Sequence, residues 1–93
     1  MLVLIKSAPD TTDGARGLTL AKENGADLIL LQNGVYFGQK ERLGDFSKTE
    51  YVLDDDRRLR GLKPSEMDDR VKTINYDKLT DTITSGDKVT GMF

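Results

Sequence analysis

The chain has 93 residues, 32% of them charged, a formal net charge of −2, and neither histidine nor cysteine. The missing residue types exclude disulfides, a thiol nucleophile, an imidazole base and a conventional zinc site built from this chain's own side chains. Lys and Arg are scattered among Asp and Glu without a basic stripe, which argues against direct nucleic-acid binding, and no apolar run reaches the ~18 residues of a membrane span.

Read in chain order, Leu2-Val3-Leu4-Ile5 is a first strand, apolar throughout. Asp10 or Thr12 can cap a helix running to about Asn24, and Gly25 supplies the left-handed residue that ends it. Ala15, Leu18 and Ala21 mark its expected inner face, and Gly14 and Gly17 let it approach the sheet closely. Residues 27–32 form a second strand, Ile/Leu-rich and stopped by Asn33-Gly34, with the composition of a strand buried on both faces. A second helix is expected over residues 35 to about 43, with Val35, Tyr36 and Leu43 as its apolar members, interrupted by Gly38 and closed by Gly44. Glu50-Tyr51-Val52-Leu53 reads as a third strand. Asp54-Asp55-Asp56 opens a short helix ending at Arg60-Gly61, and Lys63-Pro64-Ser65 is a loop. Residues 71–74 are a fourth strand, Tyr76, Leu79 and Ile83 define a helix closed by Gly86, and residues 88–93 add a last strand.

This alternation predicts one domain over residues 1–93, a three-layer α/β/α fold with a mainly parallel sheet of four to five strands. Right-handed crossovers place the carboxyl ends of the strands on one edge, where such sheets meet ligands and partners. Lys6-Ser7, Gln32-Asn33-Gly34, Asp54-Asp55-Asp56 and Asn75-Tyr76 converge there. The plain alternative is that these polar residues only cap the helices that follow. Gly34 is expected to adopt a positive φ where backbone approaches a neighbour.

Three segments carry a family resemblance: Leu30-Leu31-Gln32-Asn33-Gly34-Val35, then Asp56-Arg57-Arg58-Leu59-Arg60-Gly61-Leu62, then Ile74-Asn75-Tyr76. Together they resemble the DsrH/TusB family of sulfur-relay proteins, with its Leu-Leu-x-Gln-Asp-Gly-Val segment, its later Asp followed by Arg-Gly-Leu, and its Tyr-Asp-like segment before the last helix. Lys6-Ser7-Ala8-Pro9 is similar to the family's Ser-Pro turn with one residue inserted, and Phe93 stands at its aromatic C-terminus. Asn33 replaces the family's usual Asp, and Phe93 its common Trp. The resemblance implies a like-folded partner of DsrE/TusD- and DsrF/TusC-type subunits in hetero-oligomers that pass sulfane sulfur as cysteine persulfides. Those relays serve tRNA 2-thiouridine formation or dissimilatory sulfur oxidation. Lacking cysteine, this chain cannot hold a persulfide.

The remaining clusters have simpler readings. Consecutive helical residues point about 100° apart, so the three aspartates do not converge on a metal; they suit a helix start, balanced by Arg58 and Arg60 near its end. Arg57, Arg58 and Arg60 are alternatively contacts for an acidic partner surface. Tyr36 and Phe37 are adjacent, so one of them is expected to be exposed and available as a contact. The sequence is thus read as a cytoplasmic, non-enzymatic subunit without cofactor or metal, using Gln32, Asn33, Gly34, Tyr36, Arg57 and Arg58 as interface or pocket rim. Its partners are DsrE/DsrF-like subunits or further copies of itself, with no nucleic acid and no membrane. The competing class is a homo-oligomeric small-ligand binder or enzyme with a pocket at the same edge and Lys6 as its anion-binding group.

Overall fold

Leu2–Ile5 (β1), apolar throughout, and Asp27–Leu30 (β2), apolar after Asp27, pair in parallel at the middle of the sheet and are buried almost throughout. A computed structural model of the chain describes residues 1–85 and 88–93. Around the central pair lie Glu50–Leu53 (β3), Val71–Ile74 (β4) and Val89–Met92 (β5), all parallel, in the order β4-β3-β2-β1-β5. The expected parallel sheet is therefore five-stranded. Among the described residues no helix is long and apolar enough to cross a membrane.

The strand order dictates the layers. Passing from β1 to β4 moves steadily one way across the sheet, so right-handed crossovers put Thr12–Asn24 (α1), the 3-10 segment Gln32–Gly38 and Asp54–Leu59 (α2) on one face. The return from β4 to β5 carries Tyr76–Thr84 (α3) over the other. The burial pattern follows. Val3, Ile5, Leu28, Leu30 and Val52 join Ala21, Val35, Phe37, Leu43 and Phe46 in the larger core, while Leu2, Leu4 and Ile29 pack with Leu79 and Ile83 of α3. Alternate residues of a strand serve opposite faces, so the fully apolar runs are the strands covered on both sides.

Local chemistry departs from expectation in four places. The α1 N-cap is Thr11, whose hydroxyl oxygen accepts from Gly14 N at 3.0 Å, not Asp10 or Thr12; Gly25 at φ 61° ends the helix as expected. The inner face of α1 is Gly14, Gly17 and Ala21, with Leu18 half-buried, and Ala15 is exposed. A Cβ at Gly17 would stand 2.8 Å from Ile5 Cγ1, so this glycine sets how near the helix lies to β1. The helix expected over residues 35–43 is instead a 3-10 segment followed by turns. Gly38 fills a space where a Cβ would meet Met67 and Val52, and Glu41 at φ 70° breaks any continuation. Lastly, Pro64–Glu66 is a 3-10 turn inside the loop expected there. Closure of α3 by Gly86 lies outside the described residues.

Candidate functional site

The carboxyl ends of β1, β2 and β3 meet at the segment 31–34. Leu31 N donates to Ile5 O at 2.9 Å, continuing the β1–β2 ladder one residue past the strand, and Gly34 N donates back to Leu31 O at 2.8 Å. Between them Gln32 turns sharply at φ 48°, a left-handed conformation that costs an L-residue roughly 1–2 kcal/mol. What holds it there is Asp56: its Oδ2 accepts from Gln32 N at 2.7 Å, and the residue is buried. Arg60, one helical turn on, donates from Nε to Asn33 Oδ1 at 2.9 Å and from Nη1 to Asp56 O at 3.1 Å. Gln32 and Asn33, near in sequence only to each other, are thus tied to α2 by Asp56 and Arg60.

Gly34 is buried beneath this turn, and its requirement differs from the one expected. Its φ is not positive; Gln32 carries the positive φ instead. A Cβ at position 34 would run into the carbonyl of Ile5, 2.6 Å from its carbon and 3.2 Å from Lys6 N. The close approach is real, and sterics alone demand glycine.

The other expected site residues separate. Arg57 turns inward and is 8% exposed. It grips Asp54 Oδ1 through Nε (3.2 Å) and Nη2 (2.7 Å), and its Nη1 donates to Leu62 O. Its guanidinium therefore ties α2 to the chain that follows and is no free contact for a partner. Arg58 points out: its side chain is 71% exposed, with Nε 2.7 Å from Asp54 Oδ2. Tyr36 is half-buried against the core and Phe37 is buried, so, against expectation, neither of the adjacent pair is exposed, and Tyr36 keeps only part of its surface open. Asn75 caps α3, its Oδ1 accepting from Lys78 N at 2.8 Å. Lys6 is exposed, and its backbone N donates to Phe93 O, as do both the amide and hydroxyl of Ser7.

The sequence places Asp56 at the carboxyl edge as a helix-start residue and Arg60 as a helix-end charge or partner contact; the structure gives both a bracing role, for which their i,i+4 spacing is the usable signal. Leu59 is the residue the sequence does not single out: it is 81% exposed on the outer side of α2, next to Arg58. A short helix that turns Asp56 and Arg57 inward necessarily offers Leu59 outward.

The described grooves lie elsewhere. One, of about 540 Å³, runs along α1 between Thr12, Ala15, Thr19 and Phe93; another, of about 390 Å³, lies beside β4 between Tyr51, Lys72, Asn75 and Lys78. Neither is lined by Lys6, Gln32, Asn33 or Gly34. Chemically, the 31–34 turn offers amides, one exposed asparagine and saturated ion pairs, the features of a rigid contact surface.

A family model described as "DsrH like protein" matches residues 6–89. Among solved structures, the chain is similar to protein Tm0979 of Thermotoga maritima, determined by solution NMR, with 28% identity and a TM-score of 0.66. The match covers 97% of this chain and 98% of that one. Among curated proteins, none matches.

Proposed function

The chain belongs to the DsrH-like family, and from that premise we propose that it is a structural, cysteine-free subunit of a sulfane-sulfur relay. In this reading it is cytoplasmic and docks DsrE/TusD- and DsrF/TusC-like subunits, whose cysteines carry the persulfide for tRNA 2-thiouridine formation or sulfur oxidation. The observation that carries the proposal is chemical: the carboxyl-edge turn is fully braced by Asp56, Arg60 and Ile5, while the chain holds no thiol. Rigid, braced backbone suits recognition, and a persulfide needs a cysteine.

The contact surface we assign is Asn33, Tyr36, Arg58 and Leu59, adjoining the braced turn, while Gln32 and Gly34 shape it. Tyrosine and arginine are types enriched at the centres of interfaces, and the exposed Leu59 adds apolar area beside them. Stable specific interfaces bury upwards of ~1,200 Å² in total. Light scattering is therefore expected to find a homo-oligomer when the chain is expressed alone and a hetero-oligomer when paralogues are co-expressed. The double variant Arg58→Glu, Leu59→Asp is expected to weaken that association at least tenfold with the melting temperature nearly unchanged. A strict monomer under both conditions removes the subunit reading and returns attention to the groove beside β4.

The absent thiol gives a second test. After incubation with a cysteine desulfurase and its substrate, the intact mass of the pure chain is expected to be unchanged. A stable gain of about 32 Da, one sulfur atom, would require an acceptor outside the cysteine chemistry by which proteins carry sulfane sulfur.

A further inference from the structure

Glu50 opens β3 with its side chain fully buried, and neither carboxylate oxygen has a hydrogen-bond partner. In register it is flanked by Leu28 of β2 and Val71 of β4, which offer it nothing polar from their side chains. Among the described residues, the charged groups that act on it are Arg70 and Asp68, just before β4. Arg70 favours the ionised form of Glu50 and Asp68 opposes it, and neither bonds to it. Arg70 is engaged elsewhere: it holds Asp68 through Nε and Nη2 at 3.0 Å, and reaches over to Phe46 O at 2.8 Å and Gly44 O at 3.4 Å. Those last two bonds staple the connection between β2 and β3, whose Leu43 and Phe46 plug the larger core.

We propose that Glu50, Arg70 and Asp68 form a proton-controlled latch: with Glu50 neutral, Arg70 staples the 43–46 segment, and with Glu50 ionised, Arg70 is drawn inward and releases it. A bare buried carboxylate is costly, and the cation whose charge acts on it is the one holding the staple. Release would free the segment bearing Leu43 and Phe46, apolar surface available only to the chain in its ionised form.

The direction of the pH response follows from burial. Desolvation pushes the Glu50 carboxyl from its ordinary 4.5 up to about 7, against the opposing pull of Arg70. Between those values the folded chain binds a proton that the unfolded chain has lost, so the stability contributed by this group is full below 4.5 and is lost as pH rises toward 7. Above the folded-state value no further loss comes from this group. The chain has no histidine and no cysteine, so no other side chain has an ordinary pKa between 5 and 8. A pH response in that window that Glu50→Gln abolishes is attributable to Glu50.

Chemical denaturation of the full chain at pH 5 and pH 8 is expected to show the unfolding equilibrium constant rising on the order of 100-fold for the wild type. Glu50→Gln, which cannot ionise, is expected to be flat over the same range. Hydrogen exchange reports the latch itself: protection of the Phe46 amide, which donates to Leu43 O, is expected to fall at pH 8 relative to amides of β1, in the wild type only. Should the variant not fold, the carboxyl carbon of Glu50 in the wild type can be titrated by NMR, with a midpoint near 7 expected. A midpoint at the ordinary carboxylate value, a pH response that survives in Glu50→Gln, or unchanged relative protection of Phe46 each overturns the proposal.

Discussion

Gly34→Val is expected to cost about 3 kcal/mol or more, whereas Asn33→Asp, the neighbouring change, shifts stability by less than ~0.5 kcal/mol. The valine Cβ would be driven into the Ile5 carbonyl, an atom of the central strand whose oxygen already accepts from Leu31 N. Neither β1 nor β2 has room to retreat, because both are packed on two faces. For a chain of this size, 3 kcal/mol corresponds to a drop in melting temperature of roughly 12–24 °C. Gly34→Ala carries the same first carbon and is expected to recover little of the loss. That separates a steric requirement from β-branching. Asn33→Asp leaves the backbone alone and replaces a neutral acceptor with a charged one at the same Arg60 Nε, 2.9 Å away. Thermal melts of the three variants decide it: equal, small shifts would mean that the turn can move off Ile5.

Position 34 also shows how far the sequence could be read. That glycine was needed at the end of β2 was legible from Asn33-Gly34 after an apolar run; that the reason is contact and not a positive φ was not. The left-handed residue is Gln32, a type with no special tolerance for that region, so only its partner Asp56, 24 positions away, accounts for it. The strands were legible because β1 is apolar on every residue and β2 on every residue after Asp27, which few other environments demand. The stretch 35–43 was misread because its apolar spacing suits a helix, while its one glycine, Gly38, answers to packing against Val52 and Met67. Arg57 and Arg58 look alike in sequence and point to opposite sides, since one helical step rotates by about 100°. Glu50 reads as a polar strand end, and only the folded chain shows it to be a buried acid.

Asp56→Ala is expected to be the most damaging change at the carboxyl edge that adds no bulk, costing about 2 kcal/mol. The substitution leaves Gln32 N without its charged acceptor and removes the group that holds Gln32 in its left-handed turn. Arg60 keeps its bond to the backbone oxygen of residue 56 but loses the carboxylate 3.9 Å away. Two comparisons assign the loss. Asp56→Asn retains an oxygen that can accept from Gln32 N, so it is expected to cost about half as much. Gln32→Gly, placed in the Asp56→Ala background, is expected to return roughly 1 kcal/mol, because glycine enters the left-handed region without a Cβ penalty. In the wild-type background the same glycine should return less, since Asp56 already holds the turn; this coupling between the two positions is measurable as a double-mutant cycle. If Gln32→Gly has the same effect in both backgrounds, Asp56 does not act through Gln32, and its bracing of the contact surface must be assigned to the Arg60–Asn33 bond alone.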